Sequence, residues 1–211
     1  MGIKNILWDF DGVILDSMKV RDWGFREIFK KFNKDEVYKL IEYHRENGGL
    51  SRYVKIRYFY ENILERPIKK EEVLDYAENF SLLMKTKLTD KSNLIQDSVR
   101  FIQGKFNDYN FHIVSGSDQE ELRFLCHELD LSKFFLSIQG SPTAKKTLVK
   151  DLISNFNYDK NKTILIGDSI NDYDAAVKND IDFYGYNEIT LDNLSKFYIH
   201  DFNEFNSYLN E

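Results

Sequence analysis

The chain reads as an α/β protein, a doubly wound parallel sheet interrupted near its start by an inserted bundle of helices. Three observations predict this. From about residue 93 onward, short apolar runs without helical spacing alternate with amphipathic stretches, the order that winds a parallel sheet. Between the first such run and the rest, residues 18–90 keep a helical period throughout. Finally, runs of this kind end on Asp9 with Asp11, on Ser115 and on Asp168, and in a parallel sheet such ends converge where ligands sit.

The first run is Ile6-Leu7-Trp8, a buried strand, and it leads into Asp9, Asp11 and Gly12. Because a strand has a period of two, the two carboxylates are expected on one side of the backbone. Like charges so placed repel unless a cation lies between them or one holds a proton. Paired acids at a strand end therefore suggest a metal or acid–base work, the plain alternative being an Asp-Gly turn. Helical spacing follows at Phe25, Ile28, Phe29 and Phe32, then at Val37, Leu40, Ile41 and His44. Further sets are Ile56, Phe59, Tyr60 and Ile63, stopped by Pro67, and Val73, Tyr76, Ala77, Phe80 and Met84. Gly48-Gly49 separates the second helix from the third, which Ser51 caps. Short links between such helices indicate a small bundle. The expected organisation is a Rossmann-like core over residues 1–17 and 91–211, with the helical bundle over 18–90.

In the second half, Val99 and Ile102 suggest a helix, and Phe111 to Val114 a strand that ends in Ser115-Gly116-Ser117. Asp118 to Leu129 reads as a helix with Leu122 and Leu125 inward, Phe134 to Ile138 as a strand, and Lys145 to Phe156 as a helix. Thr163 to Ile166 is a strand ending in Gly167-Asp168-Ser169, and Asn171 to Lys178 a helix. Phe183-Tyr184 and Phe197 to Ile199 are short strands.

Composition narrows the function classes. Hydrophobic residues make up 42% of the 211-residue chain and aromatics 15%, ample for a core. A net charge of −6 with no basic block disfavours nucleic acid or an anionic membrane as partner. Cys126 is the single cysteine, which rules out an internal disulfide framework and fits a reducing compartment. No apolar run approaches the roughly 20 residues of a membrane span, and Lys4, Asn5 and Asp9 interrupt the start, so a cytoplasmic protein is expected. His44, His112, His127 and His200 lack the mutual spacing of a zinc site.

Taken together, Asp9, Asp11, Asp168 and Asp172 supply carboxylates enough for a hard divalent cation, Mg²⁺ first. Ser115 with the amides of Gly116 and Ser117 offers neutral donors to an anion, and Lys145 or Lys146 a cation. Such a set suits phosphoryl transfer, where catalysis is mostly positioning and charge neutralisation. Here the sequence resembles the haloacid dehalogenase-like hydrolases over its full length. Asp9-Phe-Asp11-Gly-Val is similar to their first motif, Val114-Ser115-Gly116-Ser117 to the second, Lys145 to the third and Gly167-Asp168-Ser-Ile-Asn-Asp172 to the fourth. The insert resembles the α-helical cap of the phosphoglycolate phosphatase and β-phosphoglucomutase branch.

The resemblance implies a role for each residue. Asp9 is the expected nucleophile, forming an aspartyl-phosphate. Asp11 is the general acid and then base. Ser115 holds a phosphoryl oxygen, and Lys145 offsets charge between nucleophile and phosphate. Asp168 ligates Mg²⁺ beside the Asp9 carboxylate and the Asp11 backbone carbonyl, with Asp172 in support. Lys145 is preferred to Lys146 because the Gly-x-Pro-x-x-Lys spacing from Gly140 fits the family. The carboxylate of Asp11 favours a phosphate ester, since dehalogenase and phosphonatase branches have none there.

Gly49-Leu50-Ser51-Arg52 is similar to the segment with which β-phosphoglucomutase grips a substrate phosphate, which makes Arg52 a substrate-binding candidate. Arg21 stands where the mutases have a histidine, so hydrolysis is preferred to phosphate migration. The expected protein is an Mg²⁺-dependent phosphatase acting on a small phosphorylated metabolite, sugar phosphates among the candidates. The alternatives are a β-phosphoglucomutase-like mutase and a non-catalytic sensor of a phosphorylated ligand.

Overall fold

The computed structural model describes residues 2–210. Its strands are β1 (Asn5–Trp8), β2 (Asn110–Asp118), β3 (Ser137–Ser141), β4 (Thr163–Gly167), β5 (Asp182–Tyr186) and β6 (Phe197–Ile199). They form one parallel sheet in the order β3-β2-β1-β4-β5-β6. The chain winds outward from β1 through β2 to β3, then crosses back to β4 and winds the other way. The change of direction leaves a crevice between the carboxyl ends of β1 and β4. All of β1 is buried, as expected for a central parallel strand covered on both faces.

Alternate residues of the strands go to opposite faces. Ile6, Trp8, Phe111, Ile113, Ile164 and Ile166 pack in one apolar cluster, whereas Leu7, Val114 and Leu165 pack in another. The first face is covered by α5 (Gln96–Lys105), α6 (Gln119–Glu128) and α9 (Phe202–Asn210), the second by α7 (Lys145–Asn155) and α8 (Ile170–Lys178).

Between β1 and β2 lie α1 (Met18–Ile28), α2 (Lys34–Glu46), α3 (Arg52–Tyr58) and α4 (Lys70–Lys87). Phe25, Phe29, Phe59 and Phe80 form the aromatic centre of this insert, with Phe29 and Phe59 ring centroids 4.3 Å apart. The segments entering and leaving the insert run side by side. Asp16 N–H donates to the Asn93 carbonyl at 2.8 Å and Ile95 N–H to the Ile14 carbonyl at 2.9 Å. Among the described residues no helix is long and apolar enough to cross a membrane.

Several boundaries differ from the sequence expectation. α1 ends at Ile28, so Phe29 and Phe32 enter the aromatic centre from beyond the helix. The third helix changes to a wider π turn over Phe59–Ile63. β2 continues through Ser115-Gly116-Ser117 to Asp118. The third strand lies three residues later than expected, because Ser132–Phe134 form a 3-10 turn that places Phe135 in the core. α9, with Phe202 and Phe205 buried, has no counterpart in the expectation.

Candidate active site

β1 stops at Trp8, and Asp9 extends its pairing by one bond, its N–H donating to the Ile166 carbonyl at 2.9 Å. The backbone then turns sharply: Ile14 and Leu15 N–H both donate to the Phe10 carbonyl, and Gly12 N–H to the Leu15 carbonyl. Gly12 has φ of +78°, and a Cβ there would lie 1.8 Å from Asp168 Oδ2. Only glycine permits both that turn and the approach of Asp168. Asp9 and Asp11 lie beyond the end of β1 rather than within a strand, and their carboxylates have different partners.

Asp9 faces Lys145, the first residue of α7, whose ammonium lies 2.7 Å from Asp9 Oδ1 and also bonds Asp172 Oδ1. Carboxylate oxygens of Asp9, Asp168 and Asp172 lie within 4.8 Å of one another. The Asp11 side chain is not in this group, so of the proposed ligand set only its carbonyl is left to serve. Asp172 is fully buried; its Oδ2 accepts from the Ser169 N–H at 3.1 Å and the Ser169 hydroxyl at 2.7 Å, a cap at the start of α8. Burial and then the charge of Asp172 push the Asp9 carboxyl up to about 7. Burial and then Asp9 hold Asp168 well above the usual carboxylate range. For Lys145, burial opposes the charged form, but Asp172 and Asp9 outweigh it and raise its pKa. Lys146, by contrast, is exposed.

Asp11 sits in a different setting. Its Oδ1 accepts from Arg21 Nε at 2.7 Å and from the Ser17 hydroxyl, and its Oδ2 accepts from the Ser117 hydroxyl at 2.5 Å. Burial works against ionisation, yet Arg21 and these hydroxyls hold the Asp11 carboxyl below its ordinary value. Ser115 is buried beside it, and its Oγ accepts from the Ser117 N–H at 3.0 Å, so that amide is already engaged. Above Ser115 and Gly116 lies the Gly48-Gly49 segment of the insert. A Cβ on Gly116 would lie 2.3 Å from the Gly49 carbonyl oxygen, and one on Gly49 2.7 Å from Asn171 Cβ.

Arg52 is also buried. Its Nη1 donates at 2.6 Å to both Glu121 Oε2 and Ser81 Oγ, and its guanidinium lies 4.7 Å from the Phe80 ring centroid. Its Nε and Nη2 have no hydrogen-bond partner among the described residues. Nearby, Lys55 donates to His44 Nδ1 at 2.8 Å and to the Gly48 carbonyl at 3.3 Å. Burial and then Arg21 push Lys55 down to about 7. Asp11, Arg21, His44, Arg52 and Lys55 surround a cavity of about 30 Å³. An adjoining cavity of about 290 Å³ opens past Leu50, Gly116, Ser141, Lys145 and Asn171. The structure thus gathers Asp9, Asp168, Asp172 and Lys145 at one point, with Asp11 and Ser115 beside them and Arg52 across the cleft.

The sequence model of the haloacid dehalogenase-like hydrolases matches residues 6–186. The chain belongs to that family. No curated protein matches the chain by sequence. Solved structures resemble this hydrolase in fold. A β-phosphoglucomutase of Clostridium difficile has a TM-score of 0.78 at 15% identity, with 99% of this chain and 97% of that one covered. A Clostridium acetobutylicum protein described as a predicted phosphatase has a TM-score of 0.78 at 15% identity, with 99% of each chain covered. The HAD-hydrolase YfnB of Bacillus subtilis, solved bound to magnesium, has a TM-score of 0.74 at 15% identity over 100% of both chains.

Around the family motifs, this hydrolase carries residues whose part in the site the sequence did not disclose. Ser17 and Arg21 form one face of the first turn of α1, directed at Asp11. Their i, i+4 spacing was the available signal. Glu121, fully buried, belongs to the inward face that Leu122 and Leu125 define, where a charge is out of place. Lys55 stands one turn on from Arg52, a spacing open to either an anion site or a solvated face, whereas His44 lay within an apolar helical pattern and gave no separate sign.

Proposed function

We propose that this hydrolase is an Mg²⁺-dependent phosphatase that cleaves a small phosphomonoester through an aspartyl-phosphate on Asp9. The observation that carries the reading is the charge balance at the crevice. Three carboxylates, Asp9, Asp168 and Asp172, face a single ammonium, Lys145. Fully ionised, the set lacks two positive charges, which a divalent cation with a preference for oxygen donors matches. Asp9, Asp168 and the Asp11 carbonyl would hold it, with Asp172 in support. When bound, Mg²⁺ would draw charge from a phosphoryl oxygen and screen the carboxylates from the phosphate.

In the first step an Asp9 carboxylate oxygen bonds to phosphorus and the ester P–O bond breaks, the leaving oxygen taking a proton from Asp11; to carry that proton Asp11 must part from Arg21, whose contact holds its carboxyl below the ordinary value. In the second step water attacks the same phosphorus, Asp11 takes its proton back, and the bond to Asp9 breaks. Lys145 favours the ionised form of Asp9 against burial and Asp172, and offsets charge as the dianion approaches. Ser115 supplies a hydroxyl just past the apolar run of β2 for a phosphoryl oxygen. The helical insert acts as a cap that shuts water out of the crevice. From it, the two unpartnered nitrogens of Arg52, with Lys55 beside them, take an anionic group elsewhere on the substrate.

A phosphosugar mutase is the second reading; Arg21, standing where the mutases have a histidine, favours hydrolysis over it. The deciding assay screens phosphorylated metabolites for release of inorganic phosphate against migration of phosphate within the substrate. Asp9→Asn should abolish turnover with the fold intact, and chelation should stop turnover until Mg²⁺ is returned. Near-normal turnover in Asp9→Asn, or full activity in excess chelator, would overturn the mechanism.

A further inference from the structure

Glu121 takes no part in the proposed chemistry, yet it is the most enclosed charge between insert and core. It stands in the first turn of α6 and is fully buried. Each of its oxygens is taken by an arginine from a different helix of the insert. Arg21 Nη1 of α1 donates to Oε1 at 3.1 Å, and Arg52 Nη1 of α3 donates to Oε2 at 2.6 Å. The same Arg21 reaches Asp11 through Nε at 2.7 Å and Ser117 Oγ through Nη2 at 2.8 Å. One core carboxylate therefore joins the arginine that holds Asp11 to the arginine with open donors in the cleft.

We propose that Glu121 is a positioning residue, a latch that holds the helical insert shut on the core and sets Arg21 and Arg52 in register in a single act. The proposal rests on the phosphatase reading only for what the register serves. Arg21, Arg52 and Lys55 of the insert line one small cavity with Asp11, and Glu121 bonds both arginines. Without Glu121, the core loses the carboxylate that both arginines of the insert bond, and the insert is held less firmly. Parting the insert only slightly strips Glu121 of both partners before water reaches it, and a buried charge deprived of partners is costly. The latch therefore favours two states, fully shut or open and hydrated, over a loosely closed one.

Spin labels at Lys39→Cys on α2 and Lys150→Cys on α7, both exposed positions, report the separation of insert and core; Cys126 is fully buried and out of their reach. In the otherwise native chain, one short distance should dominate. Glu121→Gln keeps the size but turns an NH₂ group toward a guanidinium. It should shift the ratio of shut to open forms by at least about tenfold toward open, less than a broken buried pair can cost. Glu121→Asp, whose carboxylate is drawn back by one methylene, should give an intermediate distribution, and it stands in if the Gln variant does not fold. An unchanged distance distribution in a folded variant would overturn the latch. Turnover is a separate arm. On the best substrate from the metabolite screen, Glu121→Gln should lower kcat and raise KM together, because Asp11 and Arg52 both lose their setting. If no phosphate ester is turned over, the phosphatase reading fails and the distance measurement still decides the latch.

Discussion

Lys145→Met removes the one cation that, among the described residues, bonds the carboxylates of the crevice. The Lys145 ammonium lies 2.7 Å from Asp9 Oδ1 and bonds Asp172 as well, with both partners buried. At that spacing and an effective dielectric constant of about 20, one pair is worth about 6 kcal/mol of Coulomb energy. Desolvation of the ammonium and carboxylates cancels much of this, so the expected loss of stability is about 3–5 kcal/mol, the cost of breaking a buried pair from one side. Burial and Asp172 already push Asp9 up to about 7, and loss of Lys145 raises it further, so Asp9 gains a proton near neutrality. Urea denaturation at pH 7.5 measures the loss. Repeated with Mg²⁺, it should show more stabilisation by the ion in the variant than in the parent, because all three carboxylates then face it without the ammonium. Lys146→Met, at an exposed position, should leave stability within about 0.5 kcal/mol of the parent. If Lys145→Met were as stable as Lys146→Met, the ion-pair account of this crevice would be refuted.

Two further variants probe the turn and the buried lysine. Gly12→Ala forces a Cβ to within 1.8 Å of Asp168 Oδ2 at a φ of +78°. It should cost about 1–3 kcal/mol of stability and displace Asp168. Calorimetric titration should then show weakened Mg²⁺ binding, and unchanged affinity would mean that Asp168 is not held as described. Lys55 has a folded pKa of about 7 because of burial and then Arg21, well under the roughly 10.4 of an unfolded chain. Between those values the unfolded chain binds more protons, so this residue makes stability rise with pH from about 7 to about 10 and contributes no slope below. Lys55→Met should flatten that rise and stabilise the protein at pH 7 by about 1–4 kcal/mol. Denaturation curves across pH 6–10 with the same slope in both proteins would contradict it.

The sheet was legible because a central parallel strand buried on both faces is largely apolar. Ile6-Leu7-Trp8, Phe111 to Val114 and Thr163 to Ile166 read as strands for that reason. The helices of the insert were legible from the 3.6-residue spacing of Val37, Leu40 and Ile41, or of Val73, Ala77, Phe80 and Met84. Boundaries were not, because packing moves them. Phe134 and Phe135 look like strand residues, yet one lies in a 3-10 turn and the other in the core before β3 starts.

The candidate site divides in the same way. The sequence by itself determined that carboxylates follow β1 and β4, that Ser115 follows the apolar run of β2 and that Lys145 begins α7. Each of those positions is dictated by local chain periodicity and by the order of elements. Only the tertiary structure decided what faces what. The folded chain sets Asp9 against Lys145 and Asp11 against Arg21, partners that a strand's period of two does not name. Arg52, expected to be free for a substrate, shares Glu121 with Arg21, although these three residues are as many as 100 positions apart in the chain. Charges buried between two layers choose partners by proximity after folding, and no spacing along one element records that choice.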